Sequence, residues 1–489
     1  MGRTDCDVII IGAGLLGCAA ARALMRYDLR IIVLEKSSDV STGISKANSG
    51  IIYAGYDDTP GSLKADMVVR ASAGLPDLCN ELDVHYRRTG SIMIGFGDRA
   101  DKVIRGKFDQ GMANKVPGLR LISGEEVRDR EPLIAEGVRI GLYAPGTATL
   151  DPWELCIALY ENAAANGADF RFGEEVCSVS KVSDGFVTET AGGTYSSKMI
   201  INCAGLSTDK IREMALAPRI RIVPNACDYY VFGIPEGRSP SHVIFHEPET
   251  KGKGLTLIPT VRGEILAGST QRKNPETEGI PTSEEGLRKI MDMCGEVVPE
   301  MPVSPVIHSF AALRPNPFEV QAGDNGEFRF TDRRLKDFNI LEEDGLISLM
   351  GIKTPGLTCC MELGEYVARK VTDHLCCREA VNSDFDPERR GIRRFSDIPS
   401  GELAAAVSKD PYLGRIICTC RNISESEIRE AILRGASTLD GVKRRTGILM
   451  GPCQGSKCLQ QVICIMSEVL GISPYQIVKD AGSSQILEK

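Results

Sequence analysis

The stretch DVIIIGAGLLG, residues 7–17, decides how this chain begins to fold. Residues 7–11 read as a short β-branched run of the kind that forms a strand buried on both faces in a parallel sheet. Gly12, Gly14 and Gly17 follow at once, and the Ala-rich CAAARALMRY (18–27) reads as a helix whose small side chains let it lie close to that sheet. The next apolar run, RIIVLEK (30–36), ends in Glu35, about 20 residues past the glycines, where an acidic side chain can accept hydrogen bonds from a ribose. Strand, tight turn, helix, strand and acid form a dinucleotide-binding arrangement. Its glycines let the backbone approach a pyrophosphate, whose charge then sits at a helix N-terminus. The fingerprint alone leaves NAD and FAD undecided.

Composition limits what the rest can be. At 489 residues, 42% hydrophobic and 25% charged, the chain is ordinary globular material with room for two or three domains. Its net charge of −8, without a long basic run, argues against nucleic acid as a partner. No stretch reaches the roughly 18 uninterrupted apolar residues of a membrane span, and the opening residues lack the basic head and cleavage site of a signal peptide. A cytoplasmic location is expected. Seventeen scattered cysteines then read as small core residues or ligands rather than a disulfide framework.

Three further segments decide the cofactor. STGISKANSGIIYAGYDDTPGSLKADMVV (41–69) is a long polar loop followed by a helix; KMIINCAGLSTDKI (198–211) is a strand with a turn; GLISLMGIKTPGLTCCMELGEYVARKV (345–371) is a strand, a Gly/Pro turn and a helix. Together they resemble the D-amino-acid-oxidase-like superfamily of FAD enzymes over residues 5–375. Residues 47–65 resemble the branch containing anaerobic glycerol-3-phosphate dehydrogenases and L-2-hydroxyglutarate dehydrogenases. The resemblance implies an α/β fold. A Rossmann-like FAD-binding domain (about 1–85, 150–215 and 335–375) would be roofed by an antiparallel-sheet substrate domain (about 86–150 and 216–334).

The same resemblance implies a set of contacts. Gly12, Gly14 and Gly17 would cradle the FAD pyrophosphate, Glu35 would hold the ribose and Lys36 would sit beside it. Ser45, Lys46, Asn48 and Ser49 would line the cofactor, with Val176, Ala204 and Gly205 bordering its adenine half. In GIKTPGLT (351–358), Gly351, Ile352, Gly356, Leu357 and Thr358 would bring backbone amides against the flavin pyrimidine edge, and Lys353 would add charge there. SFAALRPNP (309–317) resembles the motif whose arginine faces the substrate, which makes Arg314 the first candidate for an anion clamp. Lys64, Lys253 and Arg262 are further cationic candidates.

The chain departs from that family in two places. It has IIYAGY (51–56) where relatives read IVHAGY, and IPTVRGE (258–264) where they often read TPTVHGN, so two histidines are missing. Histidine is the natural base for an alcohol proton near neutral pH. Tyr53 stands in one of the two places, and His246 is the nearest histidine in sequence that could serve instead.

Near the C-terminus, ICTCRNISESEIREAI (417–432) and GPCQGSKCLQQV (451–462) place Cys418 and Cys420 as C-x-C, and Cys453 and Cys458 as C-x4-C, around a segment of helical periodicity. Four thiolates suit zinc or iron–sulfur. The pattern resembles the bacterioferritin-associated-ferredoxin-like domain, which implies a [2Fe–2S] cluster on residues 414–475 behind a linker at 376–413. Cys464 is expected to be buried in the last helix, apart from the ligands.

These features lead to an FAD-dependent dehydrogenase. It would oxidise a small anionic alcohol, sn-glycerol 3-phosphate being favoured, and pass electrons through the cluster. Alternatives are a 2-hydroxyacid or proline-like amine dehydrogenase, or a non-catalytic flavoprotein with structural zinc. A hetero-oligomer with an NAD(P)/FAD-linked oxidoreductase or an Fe–S acceptor subunit is expected.

Overall fold

The computed structural model describes residues 5–234, 237–250, 252–273, 280–322 and 328–488; the first four residues of the opening lie outside it. Strand Cys6–Ile11 is buried along its whole length. It lies between Ile31–Glu35 and Thr194–Asn202, parallel to both. Asp169–Phe172 and Leu346–Met350 extend the parallel set on either side. Antiparallel strands Val176–Val182, Gly185–Thr190 and Asn339–Glu343 complete an eight-stranded sheet. The C-terminal ends of its central strands therefore open on one edge, where ligands of α/β sheets bind.

Helix Leu15–Leu24 packs beside helix Cys360–His374 so closely that a Cβ on Gly364 would lie 2.7 Å from the Ala19 carbonyl oxygen. That crossing ties the glycine turn to residues 351–358, which precede the second helix. Two walls of one cleft are thereby assembled from sequence positions more than 330 residues apart.

The roof is a ten-stranded sheet. Its spine is a long antiparallel ribbon of Ile220–Phe232 with Val306–Ala322, in which Arg314 faces Asn225 across the register. One pair departs from the expected antiparallel pattern: Val243–His246 runs parallel to Ser91–Gly95. These strands come from the two separate segments that build this domain. No hairpin constrains their direction, and parallel pairing becomes available.

Residues 376–413 form a strap laid along the parallel-sheet domain. Asn162 donates to the carbonyl oxygens of Asp386 and Glu388 at 3.0 and 3.1 Å, and Arg389 pairs with Glu161 at 2.7 Å. The strap carries a short helix, Leu403–Lys409. Beyond it is a small helical unit with its own core of Ile428, Val442, Val462 and Met466. Helix Glu425–Leu433 starts there because Ser424 and Glu427 form a reciprocal capping box. Cys464 lies in helix Leu459–Leu470 as expected but is exposed, because it falls on the face turned away from that core.

The helical unit is joined to the parallel-sheet domain by buried charge. Asp39 accepts hydrogen bonds from Arg445 at 2.7 and 2.9 Å and from Arg444 at 3.1 Å, all three side chains being at most 5% exposed. Burial alone would raise the Asp39 pKa, but the two guanidiniums outweigh it and hold the carboxyl below its ordinary 3.8. Asp39→Asn leaves two buried cations under-compensated, and denaturant titration is expected to show a loss of about 3–5 kcal/mol. Because the folded pKa is depressed, this contribution is present above about pH 4 and disappears as pH falls through the folded value. The difference between wild type and variant is therefore expected to shrink as pH falls below about 4.

Candidate active site and cysteine cluster

A cleft of about 470 Å³ runs along the strand ends, between the parallel sheet and the roof. Gly12 and Gly14 lie in its wall. Gly12 has φ +100°, and a Cβ there would sit 2.7 Å from the Cys203 carbonyl oxygen, so only glycine lets the turn pass the neighbouring strand end. Gly17 is outside the cleft, yet a Cβ on it would lie 1.9 Å from the Gly12 carbonyl oxygen. It seats the helix on the turn. Glu35 lines the cleft and holds the turn from its far end, accepting from the Ala13 N–H at 2.7 Å and the Ser37 N–H at 2.9 Å.

Ser45 accepts from the Leu15 N–H at 2.9 Å, at the start of the first helix. Asn48 shapes the loop, accepting from the Gly50 N–H at 2.8 Å and donating to the Ser45 carbonyl at 2.9 Å. Ser45, Asn48, Ser49, Lys36, Val176, Ala204 and Gly205 all line the cleft. Lys46 does not: it turns to the other side of its loop and pairs with Asp480 of the helical unit at 3.2 Å. Residues 44–46 form a single 3-10 turn, which carries Ser45 toward the cleft and Lys46 toward the helical unit.

The opposite wall holds Ile352, Lys353, Gly356 and Leu357. Gly351 and Thr358 support it from behind. A Cβ on Gly351 would meet Pro317 at 2.8 Å, and buried Thr358 accepts from the Tyr53 N–H at 3.0 Å.

Cations concentrate at one end. Arg314 donates to Thr354 at 3.3 Å and hydrogen-bonds Tyr229; Lys353 donates to Asn316 at 2.8 Å. Among the described residues neither cation has a carboxylate partner. Burial, with Arg334, Arg314 and Lys64 adding to it, pushes Lys353 down to about 7. Lys253, hydrogen-bonded to Ser269 behind Arg314, is lowered to about 8 by burial and by that arginine. Lys64 is neutralised by Asp58 at 3.1 Å. Tyr53 lines the same end, its phenol pushed up to about 12 by burial.

His246 is elsewhere. Its ring packs edge-on against Phe96 at 5.7 Å, outside the cleft, because the strand that carries it pairs with Ser91–Gly95 and turns the ring to that neighbour. No histidine lines the cleft among the described residues. Arg262 also faces away, pairing with Asp151 and lying against Gly447 of the helical unit. Sequence reading missed Tyr229, Asn316 and Thr354. Asn316 had a signal, since it stands two residues after Arg314 in a strand and shares its face; Tyr229, inside an apolar strand, had none.

The cysteines converge in the helical unit. Sγ of Cys418 lies 3.5 Å from that of Cys420, which lies 3.7 Å from that of Cys453, and Cys458 contacts Cys418. The Cys453 thiol is raised by burial, but N–H groups of Gly455 and Lys457 and the Cys420 thiol bring it below its ordinary value. A Cβ on Gly451 would come within 2.5 Å of the Cys420 sulfur. Thiols this close, on loops that leave room for sulfur and, at Cys453, supply N–H groups that favour the thiolate, fit an iron–sulfur cluster.

The family description "FAD dependent oxidoreductase" matches residues 7–370, and "BFD-like [2Fe-2S] binding domain" matches residues 416–468. The chain belongs to the FAD-dependent oxidoreductase family. It is 36% identical over 98% of its length, and 98% of the relative's, to glycerol 3-phosphate dehydrogenase of Caloramator mitchellensis. It is 28% identical to human mitochondrial L-2-hydroxyglutarate dehydrogenase over 59% of this chain and 65% of that one. Among solved structures, the FAD-bound L-alpha-glycerophosphate oxidase of Mycoplasma pneumoniae superposes with a TM-score of 0.70 at 24% identity, covering 79% of this chain and 99% of that one. The glycerol-3-phosphate dehydrogenase of Bacillus halodurans gives a TM-score of 0.64 at 18% identity, covering 97% and 92%. The enzyme's cofactors are FAD and a [2Fe–2S] cluster. Gly12, Gly14, Glu35 and Ser45 lie where they would hold FAD, and the four cysteines where they would hold the cluster.

Gly451→Ala is expected to cut iron content and visible cluster absorbance at least about tenfold while leaving flavin bound, because the new methyl group occupies space needed by the Cys420 sulfur. Iron analysis beside the flavin spectrum checks it.

Proposed function

We propose that this enzyme oxidises sn-glycerol 3-phosphate at its secondary alcohol, giving the corresponding keto phosphate. The observation that carries the reading is Arg314, a buried cation in the cleft without a carboxylate partner among the described residues, beside Lys353, which burial and its positive neighbours push toward the neutral amine. A buried charge is costly unless an anion joins it, and a phosphate-bearing substrate supplies that anion. The name of the 36%-identical relative supports the same choice.

The residues divide the work. Arg314 stays charged and presents a planar fork to the phosphate. Lys353, lowered to about 7, has a substantial neutral fraction near neutral pH, and its amine takes the hydroxyl proton as the carbon–hydrogen bond breaks. Tyr53, held protonated, donates a hydrogen bond and cannot act as base at that pH. FAD held along Gly12, Gly14, Glu35 and Ser45 would supply the hydride acceptor for the alcohol carbon, and a [2Fe–2S] cluster on the four cysteines would supply a one-electron outlet. Electrons then pass to a partner, an NAD(P)/FAD-linked oxidoreductase or an Fe–S acceptor subunit.

Anaerobic flavin bleaching tests the substrate. sn-Glycerol 3-phosphate is expected to bleach the protein where L-2-hydroxyglutarate and L-proline do not; the opposite order overturns the proposal. Arg314→Lys is expected to raise the glycerol 3-phosphate concentration needed by about tenfold or more, since a point charge cannot reproduce the fork. A change under about threefold removes Arg314 from the clamp.

Lys353 has a signature of its own. kcat/KM reports groups in the free enzyme, so it is expected to rise with pH through about 7 as the amine loses its proton. Lys353→Met is expected to lower kcat at least about 100-fold and to abolish that rise. A pH profile unchanged by the substitution would exclude the lysine as base.

A further inference from the structure

A second cavity, of about 690 Å³, lies between the flavin-type domain and the cysteine-bearing helical unit. One wall is the loop 46–50 with Asp151 and Trp153; the ribbon strand around His308 forms another; Arg421, Lys443, Arg444, Met450 and Lys479 close it from the helical unit. Its volume is in the range of small-molecule sites, about 300–1,000 Å³.

The charges in it do not balance. Lys46 is paired with Asp480 at 3.2 Å, Lys479 with Asp440 at 3.8 Å, and Arg444 with Asp39 at 3.1 Å. Lys443 has no carboxylate partner within ion-pair distance among the described residues. Burial holds its pKa below the ordinary value; Asp440 opposes that shift, and Lys479, Arg444 and Lys46 add to it. His308 is lowered by burial and then by Lys443 and Lys479. An indole N–H, that of Trp153, is buried in the wall with no hydrogen-bond partner among the described residues. Lys443 thus leaves one positive charge without an acid, beside an unpartnered indole N–H, facing a hollow that an anion would complete.

We propose that this interdomain cavity binds a small polyanion carrying phosphate groups, held by Lys443 and Lys479 with Lys46 and Arg444 at its edges. Ammonium groups from several directions suit the tetrahedral, multiply charged oxygens of phosphates better than the planar fork geometry of a single carboxylate. Residues 47–49 line both this cavity and the flavin cleft, so the occupant touches the loop that walls the cofactor on one side and the cysteine-bearing unit on the other. The site is distinct from the Arg314 end of the cleft.

Trp153 is the single tryptophan of the chain and reports on the cavity directly. Inorganic pyrophosphate is titrated into the flavin- and cluster-loaded full chain at constant ionic strength, with Trp153 fluorescence as readout. A saturable change with half-saturation below about 1 mM is expected, weakened about tenfold in Lys443→Gln and in Lys479→Gln, one lost charge contact each. Both variants must retain wild-type flavin absorbance and circular dichroism, and Arg314→Lys must bind pyrophosphate as wild type does, which separates this site from the cleft. Citrate in a parallel titration is expected to bind at least tenfold more weakly. The proposal is overturned by an absence of saturation up to about 10 mM, by both lysine variants binding as wild type, by loss of binding in Arg314→Lys, or by citrate binding as tightly as pyrophosphate.

Discussion

Everything in the flavin-type domain hangs on the absence of two methyl groups. At Gly12 the backbone passes the end of a neighbouring strand within 2.7 Å of where a Cβ would be, and at Gly17 the helix rests on the Gly12 carbonyl oxygen at 1.9 Å from that position. Were either residue larger, helix Leu15–Leu24 would have to move off the turn. It could then no longer sit against helix Cys360–His374 at Gly364. Because residues 351–358 precede that second helix, the cofactor-side turn and the wall carrying Lys353 keep their spacing through one tight packing contact. The roof needs no such contact, since its ribbon is held by its own ladder and only leans Arg314 and Tyr229 into the space below.

What the sequence discloses follows from the range over which each signal acts. The glycine turn, the strand ending at Glu35 and the cysteine pairs are local patterns, and each leads to a local geometry that the chain adopts. Cys418 and Cys420 on one loop and Cys453 on another converge because their loops flank helices whose caps, Ser424 among them, are written in adjacent residues. His246 shows the opposite case. Its nearness in sequence to the roof says nothing about which side of a strand its ring takes, and pairing with Ser91–Gly95, some 150 residues away, turns it toward Phe96. Lys46 fails to reach the cleft for a related reason: its partner Asp480 lies at the other end of the chain. Tyr229 is invisible because a tyrosine in a β-branched, aromatic run looks like core until the fold shows a cavity beneath it.

The distribution of charge separates permanent contacts from transient ones. At the joint between the domains every buried arginine meets an acid: Arg445 with Asp39, Arg262 with Asp151, Arg421 with Glu264. A buried joint has to be neutralised from within the chain, since a buried charge without a partner costs several kcal/mol. Arg262 is thus committed to the joint with the cysteine-bearing unit. Arg421, next to Cys420, is drawn down to about 10 by burial and by Arg262, with Asp151 opposing the shift, so the charges around the cluster loop are coupled to those at the joint. In the cleft the rule is reversed. Arg314 and Lys353 are left to neutral partners, Thr354 and Asn316, and the charge of the arginine is met by no acid among the described residues. A binding site differs from a joint in this respect, and the difference is legible in which cations the chain has declined to pair.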